Sequence, residues 1–317
     1  RTFKYFKRRG IMIIPNKIKK GDTIGVVAPS NPIIGNNIEE IKRAKEIVEA
    51  DGFKVKFSKN LFSNTNGYTG TAKEKAEDIN NMFANKEIKM IWCAKGGNNS
   101  NSTFEYLDFE TIKNNPKIIC GYSDITSLTN IITEKTGLVT FSSTNFKTIA
   151  TDETDYSYKD AIKRFVDGDL KLGKEDSGYK TIKKGIVEGQ LIGGNLSLIR
   201  GLTSGKYTID FTDKILFIEE LGFETDPAMT SNSLYFMKQN RVFDKIKGLW
   251  IGNYEHESGV SLEKIVLDVI GDDYNFPIVK SNNFGHIERK TTIPIGTKAR
   301  IDTSKEEKVE LIEQCIK

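Results

Sequence analysis

Apolar residues recur along the first 145 positions in two alternating rhythms. Residues 22–29 hold the compact apolar run Ile24, Val26, Val27 and Ala28, which reads as a strand. Residues 37–51 place Ile38, Ile41, Ala44, Ile47 and Val48 at helical spacing and stop at Gly52. Residues 53–57 alternate as a strand, 71–85 are helical, 88–94 form an apolar strand, 109–114 a short helix and 117–120 a further strand. A helix over 125–135 leads into a strand over 138–142. This βαβα order predicts a mostly parallel sheet covered on both faces. Ligands of such sheets bind outside the carboxyl ends of the strands, and Gly96-Gly97 and Ser123 both fall there.

Beyond residue 145 the rhythm weakens. Residues 151–184 are polar, with a helix expected over 158–166, and read as a linker or lid. The remainder mixes short strands (185–191, 214–221, 248–252, 298–301, 308–312) with helices (196–203, 228–240, 261–270). That pattern predicts a separate α+β or barrel-like domain. The expected division is a tail over 1–11, an N-terminal domain over 12–170 and a C-terminal domain over 171–317. A chain of 317 residues exceeds the size at which one core keeps growing, so two domains are expected on length as well.

Composition narrows the function classes. Apolar content of 38% and charged content of 28% are ordinary for a globular protein, and no apolar run approaches the ~20 residues that span a bilayer. The net charge of +4 comes from the head: residues 1–11 carry five basic groups and no acid, and without them the chain stands at −1. The body has no basic stripe able to neutralise many phosphates, which argues against nucleic acid. The head reads as a tail, or as residues preceding a natural start at Met12. Cys93, Cys120 and Cys315 are odd in number and widely spaced, and two lie in apolar runs. A disulfide framework is not expected, and a reducing cytoplasm is.

The chemistry begins at Ser123. An apolar strand breaks at Gly121 and turns sharply through Ser123 and Asp124 into a helix. A serine on such a turn points its hydroxyl into a cleft, and the following N–H groups lie at a helix N-terminus that favours negative charge. A Ser-Asp pair before a helix also serves as a plain N-cap. A serine nucleophile needs a base, and the chain has two histidines. His256 sits in a polar loop between Glu255 and Glu257. His286 follows Gly285 ahead of an apolar strand over 292–296 and is the stronger candidate. The carboxylate that orients the base is expected at the end of the apolar strand carrying Glu219 and Glu220. Neighbouring strand residues face opposite ways, so one of the pair enters the cleft, and strand geometry leaves open which. The loop Gly96-Gly97-Asn98-Asn99-Ser100-Asn101 offers backbone N–H donors and polar side chains for a ligand. Gly193-Gly194-Asn195 reads as a turn and N-cap. There is no His-x-x-x-His, no Cys-x-x-Cys and no carboxylate cluster at ligand spacing, so no metal or cofactor is expected.

Four blocks in order resemble the LD-carboxypeptidase family of serine peptidases: residues 20–30, ending Ala28-Pro29-Ser30; 95–101 followed by 121–126; 193–197; and 216–219 with Gly285-His286. The likeness runs from about residue 12 to the end. The Gly-Gly-x-Asn-Ser-Asn loop is more similar to the microcin C self-immunity branch than to the murein-recycling branch. The resemblance implies a Rossmann-like N-terminal domain and a mixed C-terminal domain, with the site between them. It implies Ser123 as nucleophile, His286 as base and Glu219, rather than Glu220, as the orienting carboxylate. The oxyanion hole would be the N–H of Asp124 with one from Gly96 or Gly97. Asn98, Ser100 and Glu220 are the candidate substrate contacts. A cytoplasmic homodimer acting on a small peptide or peptidyl-nucleotide substrate is implied, with no membrane partner.

Two rivals remain at this stage: a murein tetrapeptide carboxypeptidase with the same triad, and a non-catalytic small-molecule binder. Adenosine would suit an aromatic platform. Trp92 and Trp250 read as core, leaving Phe146, Tyr156, Tyr158, Phe165 and Tyr179 around the expected lid.

Overall fold

The computed structural model describes residues 11–173 and 178–317. The tail expected over 1–11 therefore lies, but for Ile11, outside the described residues. Five parallel strands form the first sheet: β1 (Thr23–Val27), β2 (Lys54–Phe57), β3 (Ile88–Cys93), β4 (Ile118–Gly121) and β5 (Thr140–Ser142). Its central strands are almost continuously apolar and buried, as a sheet covered on both faces requires. The helices between them are α1 (Asn36–Ala50), α2 (Ala72–Ala84), α3 (Phe109–Asn114) and α4 (Ile125–Thr136). Local chemistry fixes their ends: Thr71 and Glu74 form a capping box at α2, and Gly137 closes α4 in the left-handed conformation.

The expected lid sets one face of its helix into the core. Helix α5 (Tyr156–Ile162) continues into a π-helical turn over Lys163–Asp167. Phe146, Tyr158 and Phe165 are buried and pack around the Trp92 indole. Arg164 is buried as well, donating to the carbonyls of Asp169, Lys171 and Thr292. Its polar surroundings in sequence concealed a side chain whose partners are backbone oxygens.

The second sheet has seven strands: β6 (Lys180–Lys183), β7 (Ile186–Asn195), β8 (Lys214–Glu219), β9 (Gly248–Ile251), β10 (Ile278–Lys280), β12 (Lys298–Asp302) and β13 (Val309–Leu311). Strands β7 to β10 run parallel, with β12 and β6 antiparallel at the flanks. Helices α6 (Leu196–Arg200), α7 (Pro227–Gln239) and α8 (Leu262–Ile270) accompany it. The remaining strand, β11 (Ile293–Ile295), leaves its neighbours and pairs antiparallel with β5 at the edge of the first sheet. The C-terminus likewise returns to the first half, where Lys317 and Pro15 bond backbone to backbone and Ile316 is buried. Strand β11 and the C-terminus thus cross back from the second half of the chain to the first.

The seam between the sheets is α4 against β7. Gly193 and Gly194 lie within β7, not in the turn that the glycine pair suggests, and Asn195 caps α6. A Cβ at Gly193 would sit 1.9 Å from the Phe217 carbonyl oxygen, and one at Gly194 would sit 2.4 Å from Thr126 Oγ1. The absence of side chains lets β7 lie against β8 at Gly193 and against α4 at Gly194. Asn130 on α4 then donates to the Gly193 carbonyl (2.8 Å) and accepts its N–H (3.1 Å), and Thr126 Oγ1 accepts the N–H of Asn195 (3.0 Å).

Candidate active site

Strand β4 delivers the chain to Ser123, whose φ of 65° is a left-handed conformation that a serine adopts only under constraint. Two groups hold it. Asn145 Oδ1 accepts the N–H of Tyr122 (3.1 Å) on one side. On the other, the buried Asp124 carboxylate accepts Ser30 Oγ (2.5 Å) and the N–H of Ser100 (2.8 Å). Burial raises the pKa of Asp124, and those hydrogen bonds and the charge of Lys75 oppose the rise. Lys75 is itself buried, with its pKa lowered to about 8, and donates to the Asn99 carbonyl and side chain (2.8 Å each).

Across the seam, Glu219 ends β8 and His286 follows Gly285. Histidine Nδ1 lies 2.7 Å from Glu219 Oε2, and Nε2 lies 3.1 Å from Ser123 Oγ. Three side chains from residues 123, 219 and 286 thus form one hydrogen-bonded line. Glu219 is 3% exposed, so its charge acts on the imidazole through little water. Burial pushes the His286 pKa down, but the charge and hydrogen bond of Glu219, with Glu220 behind it, outweigh burial and raise it. That arrangement can accept a proton from Ser123 and hold it.

Gly96 packs directly on Ser123, where an added Cβ would sit 2.9 Å from the Ser123 Cβ. The N–H groups of Asp124, Gly96 and Gly97 carry no hydrogen bond within the protein among the described residues. They are the donors available to an oxyanion.

The expected substrate contacts separate. Asn98 is exposed beside the cleft, its N–H held by Asn31 Oδ1 (3.0 Å). Ser100 is fully buried and spends its hydroxyl on the Asp124 carbonyl (2.7 Å), so it braces the elbow instead of facing a ligand. Glu220 is also buried. Its two oxygens accept Asn195 Nδ2 (2.7 Å), the N–H of Leu221 (2.9 Å), and the N–H (2.9 Å) and hydroxyl (2.5 Å) of Ser197. All four acceptor positions are filled, and Glu220 pins the start of α6 rather than offering itself to substrate.

His256 bonds to Ser258 in its own loop (2.8 Å) and has no part in the line. Trp92 and Trp250 are fully buried. Of the five aromatics weighed for adenosine, Tyr156 is half-buried under the Arg289 guanidinium, and Tyr179 leans on Trp250. Sequence reasoning missed Ser30, Asn31, Lys75, Tyr122, Asn145 and Lys290. Only Ser30 had a signal, its place after the Ala28-Pro29 end of β1; the rest act through contacts distant in sequence. No helix among the described residues is long and apolar enough to cross a membrane, and no group of three or more acidic, histidine or cysteine side chains is placed to hold a metal.

Residues 24–143 match the family model of the LD-carboxypeptidase N-terminal domain, and residues 188–301 match that of the C-terminal domain. The chain is 32% identical to a probable murein peptide carboxypeptidase of Bacillus subtilis, over 94% of this chain and 94% of that protein. It is 31% identical to the microcin C7 self-immunity protein MccF of Escherichia coli, over 89% of this chain and 91% of that one. The solved structure of MccF in complex with aspartyl sulfamoyl adenosine superposes with a TM-score of 0.84 at 28% identity, covering 96% of this chain and 100% of that chain.

Proposed function

We propose that this chain, which belongs to the LD-carboxypeptidase family of serine peptidases, cleaves amide bonds of aminoacyl- or peptidyl-nucleotides with Ser123, His286 and Glu219 as its catalytic groups. The observation that carries the mechanism is the line from Ser123 Oγ through the imidazole to Glu219, at 3.1 and 2.7 Å. Ser123 Oγ attacks the carbonyl carbon as its proton passes to His286 Nε2. The oxygen that gains charge is met by the N–H of Asp124 and one from the glycine loop. Glu219 fixes the tautomer with Nδ1–H toward itself and stabilises the imidazolium. The imidazolium then protonates the leaving nitrogen, the C–N bond breaks, and an ester remains on Ser123. Water, deprotonated by the same histidine, releases the acid and restores the hydroxyl.

The substrate class rests on two supports. The Gly-Gly-x-Asn-Ser-Asn loop is of the self-immunity form, and a neighbour at 28% identity binds an aminoacyl sulfamoyl nucleoside. A murein peptide substrate is the second reading, favoured by the relative at 32% identity. A cytoplasmic homodimer belongs to the same proposal, and analytical ultracentrifugation tests the dimer. Incubation with an aspartyl-adenylate amide and, separately, with murein tetrapeptide distinguishes the two substrates by product mass. We expect hydrolysis of the nucleotide amide, abolished in Ser123→Ala. Hydrolysis of the tetrapeptide alone moves the enzyme to the second reading, and hydrolysis of neither contradicts both.

A further inference from the structure

One charged side chain beside the triad has no part in the mechanism above. Lys290 is 4% exposed, an unusual place for a lysine. It lines the narrow crevice that also holds Tyr122, Ser123, Glu219 and Gly285, which has about 10 Å³ of room. That space fits at most a single water, so Lys290 does not reach a substrate through it. Its ammonium donates to the Ile287 carbonyl (2.5 Å) and sits over the Tyr122 ring, 4.7 Å from the centroid. The same ring meets the His286 imidazole edge to face at 5.2 Å. The stack Lys290, Tyr122, His286 therefore puts the ammonium within about 10 Å of the imidazole, with an aromatic ring and no bulk water between them.

We infer that Lys290 is a positioning residue for the triad, its positive charge holding His286 in the neutral, proton-accepting form against the pull of two buried carboxylates. The inference rests on His286 acting as general base, as proposed above. The charged and titratable groups facing the imidazole are Glu219 and Glu220 from the end of β8, Tyr122 and Ser123 from the elbow, and Lys290 from its own loop. Those facing Lys290 are Tyr122, Glu219, Asp152 ahead of α5, and Glu288 in its own loop. Without a counter-charge, two carboxylates behind one imidazole keep it protonated toward neutral pH, where it cannot accept the serine proton. Burial lowers the Lys290 pKa to about 8, so the group still carries its charge at neutral pH. A lysine is more apt here than a leucine of similar bulk because the site needs charge, not volume.

The chain has two histidines, so imidazole NMR titration resolves His286 with His256 as an internal reference and needs no substrate. Lys290→Met is expected to raise the His286 pKa by about 0.5 to 1 unit, Lys290→Arg to leave it near the wild-type value, and neither to move His256. Lys290→Gln keeps a donor for the Ile287 carbonyl while removing the charge, and is expected to behave as Lys290→Met. The acid limb of kcat/KM moves to higher pH in Lys290→Met by the same interval. An unchanged or lowered His286 pKa in the neutral variants overturns the inference. Failure of the serine mechanism itself shows separately, as full turnover in Ser123→Ala.

Discussion

Glu219 and Glu220 are adjacent, equally buried and chemically identical, yet their partners give them opposite work. Glu219 meets one donor, the imidazole, and in the proposed mechanism its charge acts on the proton that ring takes up. Glu220 meets four donors, and its charge is spent on α6. Glu219→Gln is therefore expected to cut kcat by about 10³- to 10⁴-fold with little change in melting temperature. Glu220→Gln is expected to destabilise the fold by about 1.5–3 kcal/mol, because an amide cannot accept at all four positions. Measuring kcat and thermal unfolding on the same two preparations separates them; equal profiles would refute the division of labour. The residue types at positions 123, 219 and 286 could be picked out from the sequence because each follows a local signal: a strand-to-helix break, the end of an apolar run, a glycine. Choosing between the two glutamates took the family resemblance, since both flank the same apolar run. Lys290, Tyr122 and Asn145 carry no such signal, for their partners lie across the fold.

At the scale of elements, the decisive contact is α4 on β7. Helix α4 is buried on nearly every side, and its Thr126 and Asn130 face the second sheet rather than water. Polar residues buried this way are worth keeping only when each is bonded, and here they read the backbone of β7 directly. Gly194→Ala places a Cβ 2.4 Å from Thr126 Oγ1 at a φ of +133° that alanine rarely adopts. The expected result is a loss of about 1–3 kcal/mol or more in urea unfolding, with a fall in kcat as His286 and Glu219 move away from Ser123. Unaltered kcat at normal stability would show that the seam does not set the site. Hydrophobic periodicity found the strands of the first sheet and the long helices because burial on a fixed face repeats with the period of the element. It found β11 as the apolar strand over 292–296 but not its pairing with β5, which depends on a return of the chain that no local pattern encodes, and it missed the burial of Arg164 in the expected lid.

The whole molecule is two sheets interlocked so that residues from both meet at one crevice, and it buries charge to do so. Lys75, Lys117 and Lys290 are each buried, and burial lowers each pKa from 10.5 to about 8. Below pH 8 folded and unfolded chains both carry these charges. Above it the unfolded chain binds more protons, so the three groups make stability rise with pH from about 8 to about 10. Urea midpoints across that window check the sign, and Lys117→Met should reduce the rise; a midpoint falling steadily from pH 8 would contradict it. The account as a whole stands on Ser123 and His286 acting as one unit across the seam. The direct test is kcat for Ser123→Ala, His286→Ala and the double variant on the amide the enzyme cleaves best. Each single change is predicted to cost about 10⁴- to 10⁶-fold, and the double no more than either alone. Near-wild-type turnover in a folded single variant, or losses that multiply in the double, would contradict it.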